Sequence, residues 1–212
     1  MKKINKLILT VFATTVLLFG CEDLDVQNEN NPDFATVFAT PEDVESVASG
    51  LYNTVFQGEH NVDGIQAMLA TSADHSTCSW GNFGMRDMSW EPRDFAWDNT
   101  PTYANQGQTK YSYDQWYSAI ASASNVLRAL TSGVEIGDRA HAFAKFALGL
   151  AYGDMAMVYD RVHIVDDVIA VDEETLATAS SYQDVTAASI GYLEEALAIT
   201  NGSTFTIPAS WL

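Results

Sequence analysis

The sequence predicts an all-α fold, and three observations carry that expectation. Residues 140–159 (AHAFAKFALGLAYGDMAMVY) repeat apolar side chains at helical spacing on two adjoining stripes. Ala140, Phe143, Ala144, Ala147 and Ala151 make one stripe, and Leu148, Tyr152, Met155 and Tyr159 make the other. A helix that is apolar on more than one side must lie between partners. Next, residues 182–200 keep the 3.6 period through Val185, Ala188, Ser189, Tyr192, Leu193, Ala196 and Ile199, behind a capping box at Ser181-Tyr182-Gln183-Asp184. Third, Thr40-Pro41-Glu42-Asp43 is a helix start: Thr40 caps, Pro41 sits where its missing N–H costs nothing, and Asp43 closes the box.

Taken in order, the chain opens with three lysines (Lys2, Lys3, Lys6) and an uncharged, mostly apolar run over residues 7–19. Residues 1–20 read as a secretory signal peptide, too short to span a membrane. Leu18-Phe19-Gly20-Cys21 resembles a bacterial lipobox, which implies that Cys21 is lipidated and becomes the first residue; Phe19 is bulkier than is usual at its place. The alternative is a plain signal peptide with an incidental cysteine. Residues 21–36 then form a flexible tether, acidic, Asn-rich and aperiodic (EDLDVQNENNPD). Residues 37–212 are the folded part.

The first helix runs from Pro41 with Val44, Val47, Ala48, Leu51, Tyr52 and Val55 inward, and stops at Gly58. A second runs from Gly64 to Ala73 with Ile65, Met68, Leu69 and Ala73 inward. Between residues 74 and 110 the period is lost, and Gly81, Gly84, Pro92, Pro101 and Gly107 punctuate a long loop. Ten of the chain's 24 aromatics fall between Trp80 and Tyr117, so the loop is not disordered by composition. Ser112-Tyr113-Asp114-Gln115 caps a third helix, with Trp116, Ile120, Ala123, Leu127 and Leu130 inward and Gly133 at its end. The two stretches described first are the fourth and fifth helices. Residues 161–172 between them are β-branched and expected to be extended; residues 204–212 (TFTIPASWL) read as an extended piece leading into a helix start.

The fourth helix is rich in small residues (Ala142, Ala144, Ala147, Gly149, Ala151, Gly153, Ala156). Its glycines lower helix propensity, and close approach of a neighbouring backbone is the expected return. In the fifth, ASIGYLEEALAI with Pro208 downstream resembles the second helix of a tetratricopeptide repeat, although any antiparallel helix pair needs Ala and Leu at these places. Such units need about three repeats to seal their apolar faces, so the chain is expected to be the N-terminal part of a longer protein.

Composition narrows the function. Apolar residues make up 47% of the chain and charged residues 18%, enough for a real core. The formal charge of −18 excludes nucleic acid and anionic lipid headgroups as partners. Lipidation of Cys21 leaves Cys78 as a buried small apolar residue; a Cys21–Cys78 disulfide is allowed by arithmetic alone. There is no Gly-x-Ser-x-Gly elbow, no His-Glu-x-x-His and no phosphate-cradling glycine loop. His60, His75, His141 and His163 lack metal-ligand spacing, Asp74-His75 is a single pair, and Glu194-Glu195 reads as a solvated face. No catalytic residue, metal site or cofactor is expected.

Four pieces together resemble the SusD/RagB family of nutrient-binding outer-membrane lipoproteins of Bacteroidetes. They are Cys21 with the acidic Glu22-Asp23-Leu24-Asp25, FATPEDVESVASGLYNTVF (38–56), YDQWYSAIASASNVLRAL (113–130), and the small-residue helix followed by SYQDVTAASIGYLEEAL (181–197). The resemblance covers essentially the whole chain but only the first part of the family's usual length. One departure is Tyr159-Asp160-Arg161, where the family often has a Tyr-Gly…Pro turn. The resemblance implies a helical fold with tetratricopeptide-like units, anchored by lipid outside the cell. It implies capture of oligosaccharides or other nutrients, without chemistry, and delivery to a SusC-type TonB-dependent transporter.

Sugars present apolar C–H faces and hydroxyl rims, so their sites pair aromatic platforms with Asn, Asp and Arg. The loop SWGNFGMRDMSWEPRDFAWDNT (79–100) offers Trp80, Trp90 and Trp97 for stacking and Asn82, Arg86, Asp87, Arg93, Asp98 and Asn99 for hydrogen bonds. The competing reading is a miniature core that holds the loop on the helices, with Arg93 paired to Glu91 or Asp94. Trp116 and Tyr117, at helical spacing, read as core. A tetratricopeptide-type scaffold that binds protein partners is the alternative function, with the loop purely structural.

Overall fold

In a computed structural model, which describes residues 34–77, 107–165 and 178–212, the chain is all-α apart from one two-residue strand pair. The described elements are α1 (Phe34–Val37), α2 (Pro41–Ser49), α3 (Leu51–His60), α4 (Ile65–Ser72), α5 (Gly107–Thr131) and α6 (Asp138–Val158). They are followed by β1 (Arg161–Val162), β2 (Ser180–Ser181), α7 (Tyr182–Gly202) and a 3₁₀ turn, Ala209–Trp211. The expected tether, 21–36, overlaps this fold at its end, because Phe34 to Thr36 lie in α1. Phe34 stacks on Phe38 at 4.7 Å and carries the Arg128 guanidinium over its ring at 4.7 Å.

The start of α2 is the capping box read from the sequence. Thr40 Oγ1 accepts from Asp43 N at 3.2 Å, and Asp43 Oδ2 accepts from Thr40 N at 3.2 Å. The first helix does not run unbroken to Gly58. It breaks for one residue at Gly50, whose N–H turns back to Val47 O, and resumes to His60. Gly58 is not a stop but a contact. A Cβ there would lie 2.6 Å from Trp116 Nε1, so its bare backbone is what lets the indole pack against α3. In α4, Ile65 and Met68 face inward as expected, whereas Leu69 and Ala73 are exposed and Thr71 takes the inward place.

The third predicted helix, α5, begins five residues before Ser112. Ser112 is therefore no cap: it is buried, and its hydroxyl donates to Gly58 O at 2.5 Å. Trp116, Ile120, Ala123 and Leu127 line the core, while Leu130 turns out to solvent. Gly133, at φ +88°, ends the segment in the left-handed region that favours glycine.

Helix α6 lies at the centre and packs against α2, α3, α5 and α7. Both of its predicted stripes, Tyr159 included, are buried. Its small residues are used as expected against α7. Gly149 faces Leu193 and Ser189 so closely that a Cβ would meet Leu193 Cγ at 2.6 Å. Ser189 donates to Gly149 O at 2.7 Å, and Tyr152 stacks on Tyr192 at 5.9 Å. At the head of α7, Ser181 Oγ accepts from Asp184 N and donates to Asp184 Oδ2. Only the Ser181 half of the expected box forms, since no bond runs back to the Ser181 backbone. Of the piece expected to be extended, 161–172, the start is β1, antiparallel to β2 through Arg161↔Ser181 and Val162↔Ser180, and residues 166–172 lie outside the described residues.

Candidate functional site

The lipidation candidate Cys21 and all the ligand candidates (Trp80, Asn82, Arg86, Trp90, Arg93, Trp97, Asn99) lie outside the described residues, as does Cys78. What the structure places is the frame that delivers this loop. Its leading end is α4, followed by Asp74, the one described non-glycine residue at positive φ (57°). Its trailing end is the first two turns of α5, and that end is pinned. Tyr159 Oη donates to Thr109 O at 2.5 Å, Ser112 holds Gly58, and Trp116 is fully buried. Tyr113 and Trp116 each meet Tyr159 edge-on, at 5.4 and 6.2 Å. Burial, reinforced by Tyr113, holds the phenols of Tyr117 and Tyr159 above their ordinary value, so both remain neutral donors at physiological pH.

Two tyrosines fix the segment after β1 in a way the sequence did not signal. Tyr117 Oη donates to His163 O at 2.8 Å and accepts from His163 N at 2.9 Å. Tyr152 Oη makes the same pair of bonds with Val165, at 3.4 and 2.9 Å. Alternate residues of an extended chain point their polar groups the same way, so each hydroxyl stands in for a neighbouring strand. Helical periodicity marked both tyrosines as inward, but periodicity says nothing about what a phenol will bond. Tyr117 is thus a hydrogen-bonding strut as well as part of the core.

A concave feature lies along α6 and α7. An apolar groove of about 500 Å³ runs between α6, α7 and the last residues, lined chiefly by Phe143, Phe146, Leu193, Leu197, Phe205 and Ile207. Thr200 is its one polar wall residue among those described. Phe143, one of its wall residues, also meets the buried Trp211 edge-on at 5.0 Å, and Trp211 lies under the Arg139 guanidinium at 5.1 Å. Arg139 is itself held by Glu45 through Nη2–Oε2 at 2.7 Å and Nε–Oε2 at 3.1 Å.

Among the described residues no group of three or more His, Cys, Asp or Glu side chains is placed to hold a metal, and no helix is long and apolar enough to cross a membrane. Asp74-His75 forms no site with them: the His75 ring meets the neighbouring Ser76 hydroxyl at 3.4 Å. Glu194 and Glu195 are exposed, as expected of a solvated face, and Glu195 pairs with Lys145 at 2.8 Å. Comparison with known protein families, characterised proteins and solved structures returned no match.

Proposed function

We propose that this protein is a surface-exposed lipoprotein that binds glycans or other nutrients and hands them to a SusC-type TonB-dependent transporter. The observation that carries the reading is the lipobox-like Leu18-Phe19-Gly20-Cys21 followed at once by acidic residues. It puts a lipid anchor and a polar tether ahead of an all-α body. Support also comes from the aromatic-rich loop 79–100. A binding loop gains affinity when its ends need not be ordered on binding, and the buried first turns of α5 supply one such end. The α6–α7 hairpin is compatible with a tetratricopeptide-like unit.

Metabolic labelling with palmitate tests the anchor. Label should enter the wild-type chain and not Cys21→Ala, and protease added to intact cells should remove the wild-type protein from the surface. Label in Cys21→Ala, or resistance to the protease in cells whose other surface proteins are cleaved, would end this reading. The second reading, a scaffold lipoprotein that binds protein partners, is favoured by one observation: the apolar groove along α6 and α7. Retention of a defined polypeptide by wild-type protein but not by Leu197→Glu would support it.

A further inference from the structure

Beyond α7 the chain runs extended along one wall of the apolar groove. Ser203 (φ −134°, ψ 162°) and Pro208 (φ −61°, ψ 142°) bracket this segment in extended backbone. Between them exposure alternates: Thr204 and Thr206 are exposed, whereas Phe205 and Ile207 are half-buried and line the groove. A period of two is that of a strand, and Thr, Phe and Ile are strand formers. Yet the backbone N–H and C=O groups of residues 204–207 make no backbone hydrogen bond to any described residue. Such groups are obligatory bonding groups, and an unpaired extended edge is a template for one more strand. The groove adds apolar surface alone, because Thr200 in its wall already donates its hydroxyl to Ala196 O at 2.8 Å.

We propose that residues 204–207 and the groove beside them take an extended, basic peptide of a partner protein, added as a strand. The proposal rests on the scaffold reading above and names the form of its partner. A helical partner bonds its own backbone and would leave these N–H and C=O groups unpaired. An extended peptide pairs them and sets its alternate side chains, which must be apolar, into the groove beside Phe205 and Ile207. The outward side chains are basic by charge complementarity. Asp138, which accepts from the Ser203 hydroxyl at 2.5 Å, is exposed at the head of the segment, and Glu194 and Glu195 are exposed next to Leu193 on α7. Arg139 and Lys145, the cations of α6 on this side, are already paired with Glu45 and Glu195. With a chain charge of −18 behind them, these carboxylates favour Lys or Arg on the peptide.

Amide hydrogen exchange on the whole chain, with and without the peptide acetyl-RVTIKVTR-amide, tests this. In the free chain the Thr204, Phe205, Thr206 and Ile207 amides should exchange near their intrinsic rates. The peptide should slow two alternate amides, either Thr204 and Thr206 or Phe205 and Ile207, by about tenfold or more, because successive residues of a strand bond to opposite edges. Leu197→Glu changes a groove residue that is 59% exposed, so the core is untouched, and it should abolish that slowing. The acidic peptide acetyl-EVTIEVTE-amide should produce none. Slow exchange at all four amides in the free chain, or a basic peptide that slows none of them or all four alike, would overturn strand addition. Equal slowing by the acidic peptide would overturn the choice of a basic partner. Alternate slowing without peptide, present only at high protein concentration, would give the strand to a second copy and overturn it as well. Should wild type but not Leu197→Glu retain a defined polypeptide while these amides stay fast, the scaffold reading stands and the strand mode alone fails.

Discussion

Gly58 shows how much one missing methyl can position. A Cβ at this place would fall 2.6 Å from Trp116 Nε1 and 2.9 Å from Cδ1, against a ring that is wholly buried. Gly58→Ala should lower stability by roughly 1–3 kcal/mol in denaturant unfolding, as overpacked cores do, although alanine is the better helix former. In a Trp116→Leu background the same change should cost much less. Asp154 gives the pH dependence at this scale. Its folded value near 7 exceeds the ordinary 3.8, so the folded chain holds its proton where the unfolded chain has lost it. That contribution is full below pH 4, declines as pH rises to about 7, and is flat above. The span is at most about 4 kcal/mol, and less because the carboxylate is partly wetted. Asp154→Asn should remove this decline in melts run from pH 4 to pH 8; an unchanged slope would refute the assignment.

At the scale of elements, the α6–α7 contact is the one most exposed to a direct test. Gly149 lies against Leu193, and Ser189 O is 3.2 Å from where a Cβ would stand. Gly149→Ala gains about 1 kcal/mol of helix propensity but must displace Leu193. It should destabilise the wild type and stabilise a Leu193→Ala background, giving a double-mutant coupling above about 1 kcal/mol. This packing was legible in the sequence because small residues at helical spacing on an apolar helix have few other uses. The cap at Thr40 was equally legible, its box being a local pattern. Gly50 and Gly58 were not. A glycine that breaks a helix and one that admits a ring look alike until the partner, here Trp116 from 58 residues further on, is in place. Ser112 misled for a related reason: its Ser-x-x-Gln neighbourhood copies a cap, while its hydroxyl serves a carbonyl on another helix. Exposure of Leu69 and Leu130 reflects the narrowness of the faces that α4 and α5 bury.

At the scale of the whole molecule, the charge of −18 and the all-α body fit a chain that repels nucleic acid and presents loops from a helical frame. The candidate ligand residues fall where period is absent, and helical pattern cannot order such a segment; aromatic composition alone drew attention to it. The first turns of α5, which follow it in the chain, are held by the Tyr159 and Ser112 hydroxyls and by the buried Trp116. Glycan capture by that loop, the function proposed above, is tested most directly by affinity electrophoresis of the mature chain through gels containing single polysaccharides. Trp80→Ala, Trp90→Ala and Trp97→Ala run beside the wild type. Retardation by one glycan that is lost in at least one of these variants, with unchanged melting temperature, is the predicted result. Free migration of the wild type through every glycan, or retardation untouched by all three changes, would contradict it.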